Sequence, residues 1–400
     1  MPGLRLSFFY AALFLYVGVY MPFFPVWAHF KLLNDEQIAT MLAASMMVRV
    51  VTGPLIALLA DGVGNRRIFI QGMAVISTGA TALLLLTDAY LWIFVVHLLV
   101  AVTHAPMMPL IESISMRLSI AGAFDYGRVR LWGSLAFIAS STSIGWALDM
   151  SGAGLIILAL VTAGCLTIVA SMFLPQESQS EVKPSATSET DKPSRVGKMP
   201  FADVGVVVRH PLFLAFFVAM GLAQGSHALY YSFGSLNWQR IGYDSDLIGL
   251  LWSIGVASEV LLFLGFSRIA KWFSPVTLFA TAGCAVILRW GLMALEPPLA
   301  IIIFSQFLHG ITFGMAHLGG MHFIARSVPP RFSATLQSLG AAVASGLFMG
   351  PLTYLSGPAY ERFFSAAYAA MSLLGVIVLV AAFILARRWD GGMIIGEDER

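Results

Sequence analysis

Runs of about twenty apolar residues recur along this chain, six between positions 6 and 174 and six between positions 211 and 386. A helix of about 20 residues crosses the hydrocarbon layer of a bilayer. Lipid offers backbone N–H and C=O groups no partner, so each run has to be helical. The sequence therefore predicts an all-α polytopic membrane protein with 12 transmembrane helices. Only 11% of the residues are charged, against roughly 25% in soluble domains. Glycines and prolines inside such helices are read as kinks and close contacts, not turns. The first run, 6–28, is too long for a signal peptide and has no small-residue cleavage site after it, so it is expected to remain as a span. Cys165 and Cys284 both fall inside apolar runs and imply no disulfide framework.

The two sets of spans are separated by residues 175–209, rich in Ser, Thr, Glu, Lys and Pro from Gln176 to Ser194. That composition suits a flexible linker. It divides the chain into an N-terminal six-helix bundle at 1–174, a cytoplasmic linker at 175–209 and a C-terminal six-helix bundle at 210–400. With both termini and the linker in the cytoplasm, only Lys31, Arg240 and Arg362 of the 23 basic residues lie on the far side, while Arg49 and Arg289 lie within spans. The opposite orientation would break the positive-inside rule. A shift of 210 positions aligns the halves without gaps, setting Tyr20 on Tyr230, Ile38 on Ile248 and Arg49 on Glu259. Parallel repeats of this kind suit a transporter with its site between the halves, near mid-membrane.

Ionisable residues inside the spans are the candidates for chemistry, because a charge at the bilayer centre is costly, about 2.5–3.5 kcal/mol on insertion scales. Glu259 is the only charge in the run 248–266. Arg49 lies midway along the second span and Arg289 well inside the ninth. Each serves either as a structural clamp or in function. In the fourth span Pro106 and Pro109 should bend the helix. Glu112 follows them and needs a cation, for which Arg130 is the natural candidate. His97 and His104, with no visible partner, read as packing histidines before ligands. His227 and Tyr230 share a helix face, as do Gln306 and His309. No ligand spacing supports a metal site built from these histidines. Between spans 2 and 3, Asp61, Arg66 and Arg67 flank a glycine turn and are read as a gating latch or as topology anchors.

The segment Ala60-Asp61-Gly62-Val63-Gly64-Asn65-Arg66-Arg67 resembles, in degraded form, the signature of the major facilitator superfamily. Gly62 and Asn65 stand where that signature usually has basic residues, which puts the full latch in doubt. Asp125-Tyr126-Gly127-Arg128-Val129-Arg130-Leu131-Trp132-Gly133-Ser134 and Gln224-Gly225-Ser226-His227-Ala228-Leu229-Tyr230-Tyr231 are similar to the phenylpropionic acid permeases, relatives of the sugar and nucleoside proton symporters. So is the run 251–260 around Trp252 and Glu259. The resemblance covers nearly the whole chain except the linker. It implies the major facilitator fold, with Glu112, Arg130 and Glu259 as substrate-binding residues and Arg289 and His309 in proton coupling. Where lactose–proton symporters carry their proton on a glutamate three residues after that histidine, this chain has Thr312, so proton coupling is expected to use another group, with Glu259 and His309 as the first candidates.

The expected function is secondary active transport of a small organic solute with protons, by alternating access, in the bacterial inner membrane. The driving force is a proton gradient, with no cofactor and no nucleic-acid partner, and the expected oligomeric state is a monomer. Substrate contacts are expected from Arg49, Glu112, Arg130, His227, Tyr230, Trp252 and Glu259. Two arginines suit a carboxylate, and Trp132, Tyr230, Trp252 and Trp290 suit a ring, which favours an aromatic acid over a sugar. A sugar or nucleoside symporter, or a drug exporter, is the alternative within transport. An intramembrane enzyme lacks a catalytic motif, a phosphate-binding loop is absent, and a sensor lacks an output domain.

Overall fold

The computed structural model of the chain describes residues 1–63, 65–175, 205, 207–269 and 272–394, without the side chains of residues 61, 267–269, 330, 331 and 334. Most of the linker expected at 175–209 therefore lies outside the described residues. Among the described residues the structure is helical and contains no strand.

Eleven helical stretches are long and apolar enough to cross a bilayer. They are α1 (Pro2–Phe30), α2 (Asp35–Ala60), α3 (Arg66–Leu86), α4 (Tyr90–Ile120), α5 (Tyr126–Ser151), α6 (Leu155–Met172), α7 (Pro211–Arg240), α8 (Ser245–Phe266), α9 (Pro275–Met293), α10 (Leu299–Ser327) and a stretch of 54 residues, Thr335–Arg388. A straight helix of that last length would reach about 80 Å, far beyond a bilayer. It turns back at Phe364, whose φ is 48°, through a single 3-10 turn, Phe364–Ala367. The two limbs are called α11 (335–363) and α12 (Tyr368–Arg388).

Several helices are interrupted where the membrane interior places its polar groups. The α-helix of α4 stops at His104 and resumes at Met107, as expected where Pro106 and Pro109 remove two backbone donors. α7 breaks after Gly225 and restarts at Ala228, leaving His227 at the break. α10 carries a π-helical turn at Gly310–Met315 and α11 another at Val343–Met349. By contrast α1 runs unbroken through Pro22 and Pro25.

The halves meet most closely at the end of the molecule opposite the N-terminus. There α5 and α8 touch through their backbones: Gly249 faces the Ser141 carbonyl and Gly145 faces the Ser245 carbonyl, leaving no room for a Cβ at either glycine. Such contact drives helix association in lipid, where apolar burial gives no advantage. Ser253 exchanges hydrogen bonds with Ser141 and Thr142, both at 2.8 Å. The Asp149 carboxylate accepts from the amides of Ser245 and Asp246 at 2.9 and 3.0 Å, capping the start of α8 from the other half. On the other side of the molecule Gly357 of α11 lies against Ala39 and the backbone of Asp35 and Glu36 on α2.

Cross-helix bonds recur at related positions in the two halves. The Tyr20 hydroxyl meets His97 Nε2 at 2.7 Å, linking α1 to α4, and the Tyr230 hydroxyl donates to Gln306 at 3.0 Å, linking α7 to α10. Tyr16 bonds Thr81 across α1 and α3, and Trp290 donates to Ser226 across α9 and α7. Lys31 pairs with Asp88, and Arg240 pairs with Glu296.

Candidate functional site

The C-terminal half holds a hydrogen-bonded network around Arg289, which is 0% exposed. Its Nη1 donates to His309 Nδ1 at 2.8 Å and to Thr312 Oγ1 at 3.1 Å, and its Nη2 donates to Gln306 Oε1 at 3.3 Å. The guanidinium also lies 4.3 Å from the Trp290 ring centroid and 5.0 Å from that of Tyr230. Among the described residues no carboxylate lies within ion-pair distance of it. Neutral acceptors and aromatic faces therefore hold this cation.

The hydrogen bonds around Arg289 fix two histidine tautomers. A guanidinium only donates, so His309 Nδ1 carries no proton and the ring's N–H is at Nε2. That nitrogen faces Glu259 Oε2 at 3.8 Å. His227 Nδ1 lies 3.1 Å from the carbonyls of both Ala223 and Gln224, so it carries the proton there. Its bare Nε2 then accepts from the Thr312 hydroxyl at 3.0 Å. Gly310 brings α10 this close to α8: its amide donates to Ser258 Oγ at 3.0 Å. A Cβ at that position would come 2.7 Å from the Ser258 carbonyl oxygen.

Glu112 and Arg130 come together as their types suggested, with Nε 3.7 Å from Oε1. Tyr126 also donates to Glu112, at 3.4 Å, and the Arg130 guanidinium lies 4.4 Å from the Phe14 ring centroid. Both side chains stay partly exposed. Arg49 stands apart from that pair: it lines a cavity of ≈ 170 Å³ between the halves, together with Tyr16, Tyr20, His97, His104, Tyr231 and Ser232. No carboxylate among the described residues pairs with Arg49.

Two placements differ from the sequence expectation. Tyr230, Trp252 and Trp290 are not free platforms for a ring. Tyr230 stacks on Trp252 at 4.4 Å between centroids, Trp290 stacks on Tyr368 at 5.5 Å, and all are buried. Trp132 is 54% exposed, on the same outward stripe of α5 as Leu135 and Trp146. Arg67 ties α3 to α6 within the N-terminal half. It donates to the Met172 carbonyl at 2.6 Å and so caps the C-terminal end of α6, where carbonyls lack partners. The side chain of Asp61 lies outside the described residues, and Arg66 is engaged in an interaction of its own. His97 and His104, read from sequence as packing histidines, line the cavity. Tyr231 and Ser232 were missed, although the 210-position shift sets Tyr231 on Met21, another lining residue.

Residues 4–370 match the MFS_1 like family. The chain is 30% identical over 375 residues to a probable 3-phenylpropionic acid transporter of Escherichia coli (strain K12), covering 93% of each sequence. It is 25% identical over 388 residues to a maltose permease of Geobacillus stearothermophilus, covering 95% of this chain and 93% of that one. Among solved structures it is similar to the nucleoside transporter NupG, with a TM-score of 0.78 at 18% identity over 96% of this chain and 99% of that one. It is also similar to a D-xylose-proton symporter, with a TM-score of 0.69 at 11% identity over 98% of this chain and 97% of that one.

Proposed function

The chain belongs to the MFS_1 like family, and we propose that it is a proton-coupled symporter of a small organic acid, working by alternating access in the bacterial inner membrane. Its relatives and its fold are those of transporters of the major facilitator type. We take the 54-residue stretch as two crossings, α11 and α12, so that twelve helices form two six-helix bundles. The basic residues favour both termini in the cytoplasm. In that orientation the α5–α8 and α2–α11 contacts close the outer face, and the partly exposed Glu112 and Arg130 lie toward the inner one.

The observation that carries the coupling reading is the fixed tautomer of His309. Arg289 occupies Nδ1, so the ring cannot take a second proton without turning an N–H against a guanidinium. His309 thus serves as a neutral donor aimed at Glu259. Glu259 becomes the group that takes up and releases the proton, with His309 and Arg289 positioning it. Thr312, at the place of the usual carrier glutamate, is committed to Arg289 and His227. The named activity of the Escherichia coli relative favours an aromatic acid as the solute. The maltose permease relative supports sugar uptake as the second reading.

Proteoliposomes test the coupling. Wild-type protein is expected to accumulate the solute under an inward proton gradient. Glu259→Gln is expected to lose at least tenfold of that accumulation while still exchanging solute across the membrane down its gradient. Uphill accumulation by Glu259→Gln at the wild-type level would rule out this carboxylate as the carrier.

A further inference from the structure

Eight buried side-chain nitrogen or oxygen atoms among the described residues have no hydrogen-bond partner, and four of them belong to residues lining one cavity: Arg49 Nε, His97 Nδ1, His104 Nε2 and Ser232 Oγ. An orphaned buried polar atom costs roughly 1–3 kcal/mol, and native structures carry few of them. Four at one cavity between the halves mark groups that are satisfied by what enters it. We propose that Arg49, His97, His104 and Ser232 form the subsite for a carboxylate group, and that the ligand it selects is a monocarboxylate built on a single ring. The inference rests on the transport reading and deepens it by giving the solute a class and a place.

The chemistry of the four groups sets the class. A guanidinium donates and never accepts, an imidazole nitrogen does either according to its tautomer, and a serine hydroxyl does both. A carboxylate, an acceptor with two oxygens, is the one simple group to which every one of them can donate. Among the described residues no carboxylate stands beside Arg49, which leaves its charge open to an anion from outside. His97 is 1% exposed and held by the Tyr20 hydroxyl at Nε2 while the Phe24 ring stacks on it at 4.7 Å. Tyr16 stacks on His104 at 4.3 Å. Both imidazoles are therefore fixed in orientation before a ligand arrives. The remaining walls are mostly apolar, with Leu42, Met21, Val17 and Val100 beside the hydroxyl-bearing Ser45 and Tyr231. The cavity is ≈ 170 Å³, close to the engineered cavity of about 150 Å³ that accepts benzene, so it matches one ring and is small for a disaccharide.

Binding to the purified full-length protein tests this, with 3-phenylpropionate and its uncharged amide, 3-phenylpropanamide, as probes and titration calorimetry as the readout. Wild type is expected to prefer the acid to the amide at least tenfold. Arg49→Gln is expected to bring the acid down to the amide's affinity while the amide's own affinity stays within about twofold, which also reports that the variant is folded. Arg49→Lys, which keeps the charge but loses the planar fork, is expected to cut the preference several-fold and decides the matter if Arg49→Gln does not fold. His104→Phe, which keeps the stack on Tyr16, is expected to weaken the acid more than the amide. A wild-type acid-to-amide preference in the Arg49 variants overturns the subsite, even if proton-driven uptake is intact. Acid preference that depends on Arg49, in a protein showing no proton-driven uptake, would leave the subsite standing and remove the transport reading. Maltose binding tighter than the acid's would overturn the ligand class.

Discussion

Thr312 has a single hydroxyl and several neighbours. Its oxygen accepts from Arg289, and its proton is shared between His227 Nε2 and the His309 carbonyl. Replacing it by valine keeps the shape and removes every bond, which leaves His227 Nε2 bare inside the protein. The loss is on the order of 1–3 kcal/mol. Thr312→Val is therefore expected to melt several degrees below wild type in detergent, with Thr312→Ser close to wild type. An unchanged Thr312→Val melt would mean that these bonds do not hold the site. Arg289 is a sharper case, since its planar fork reaches His309, Thr312 and Gln306 at once. Arg289→Lys keeps a charge but offers one flexible point of donation, so it is expected to lose proton-driven accumulation. Accumulation at the wild-type level would reject its positioning role. The sequence named Arg289, His309 and Glu259 together as candidates for proton coupling. It gave no sign that a guanidinium would decide which nitrogen of His309 holds the proton.

At the scale of elements, the interruptions place the chemistry. Pro106 and Pro109 announce the break in α4, and the break leaves His104 at the end of its first segment. No proline marks the break in α7 beside His227 or the π-helical turn after His309. α1 shows the converse, with two prolines and no break. Whether a helix stays continuous thus depends on which neighbours satisfy the freed backbone groups, and those neighbours are distant in sequence. The close contact of α5 and α8 leads to a prediction of its own. Gly249→Ala would drive a methyl group into the Ser141 carbonyl, so this end of the molecule is expected to close less often. Spin labels at positions 150 and 244 should then show a longer separation than in the Gly249 parent. An identical distance distribution would mean that this contact does not hold that end shut.

Across the whole molecule, the two halves repeat their connections more faithfully than their residues. Lys31–Asp88 and Arg240–Glu296 each tie the end of the first helix of a half to the loop before its fourth. In the second of these, the hydrogen bond from Arg240 to Glu296 and the Ser365 hydroxyl hold the Glu296 carboxyl below its usual range. A lowered carboxyl pKa contributes stability above the ordinary glutamate value and loses it as pH falls through the lowered one. For an exposed pair the amount is at most about 1 kcal/mol. Wild type is therefore expected to melt slightly above Glu296→Gln near neutrality, with the gap closing in acid. A gap that stays constant with pH would show that the pair contributes no linked stability.

The sequence by itself determined the helical, membrane-spanning class, the two sets of six runs and the residues too costly to bury without purpose. It could do so because length, hydropathy and the Lys/Arg bias act locally along the chain. It also named both members of the Glu112–Arg130 contact, because an acid and a base on adjacent spans have few other partners. Only the tertiary structure decided that Tyr230, Trp252 and Trp290 support one another in the core. It alone found the partner of Arg67, the Met172 carbonyl that ends α6, and the two histidines that share a cavity with Arg49. Those outcomes depend on which side chains meet across helices, and a hydrogen bond between residues dozens of positions apart leaves no mark in the local pattern of either.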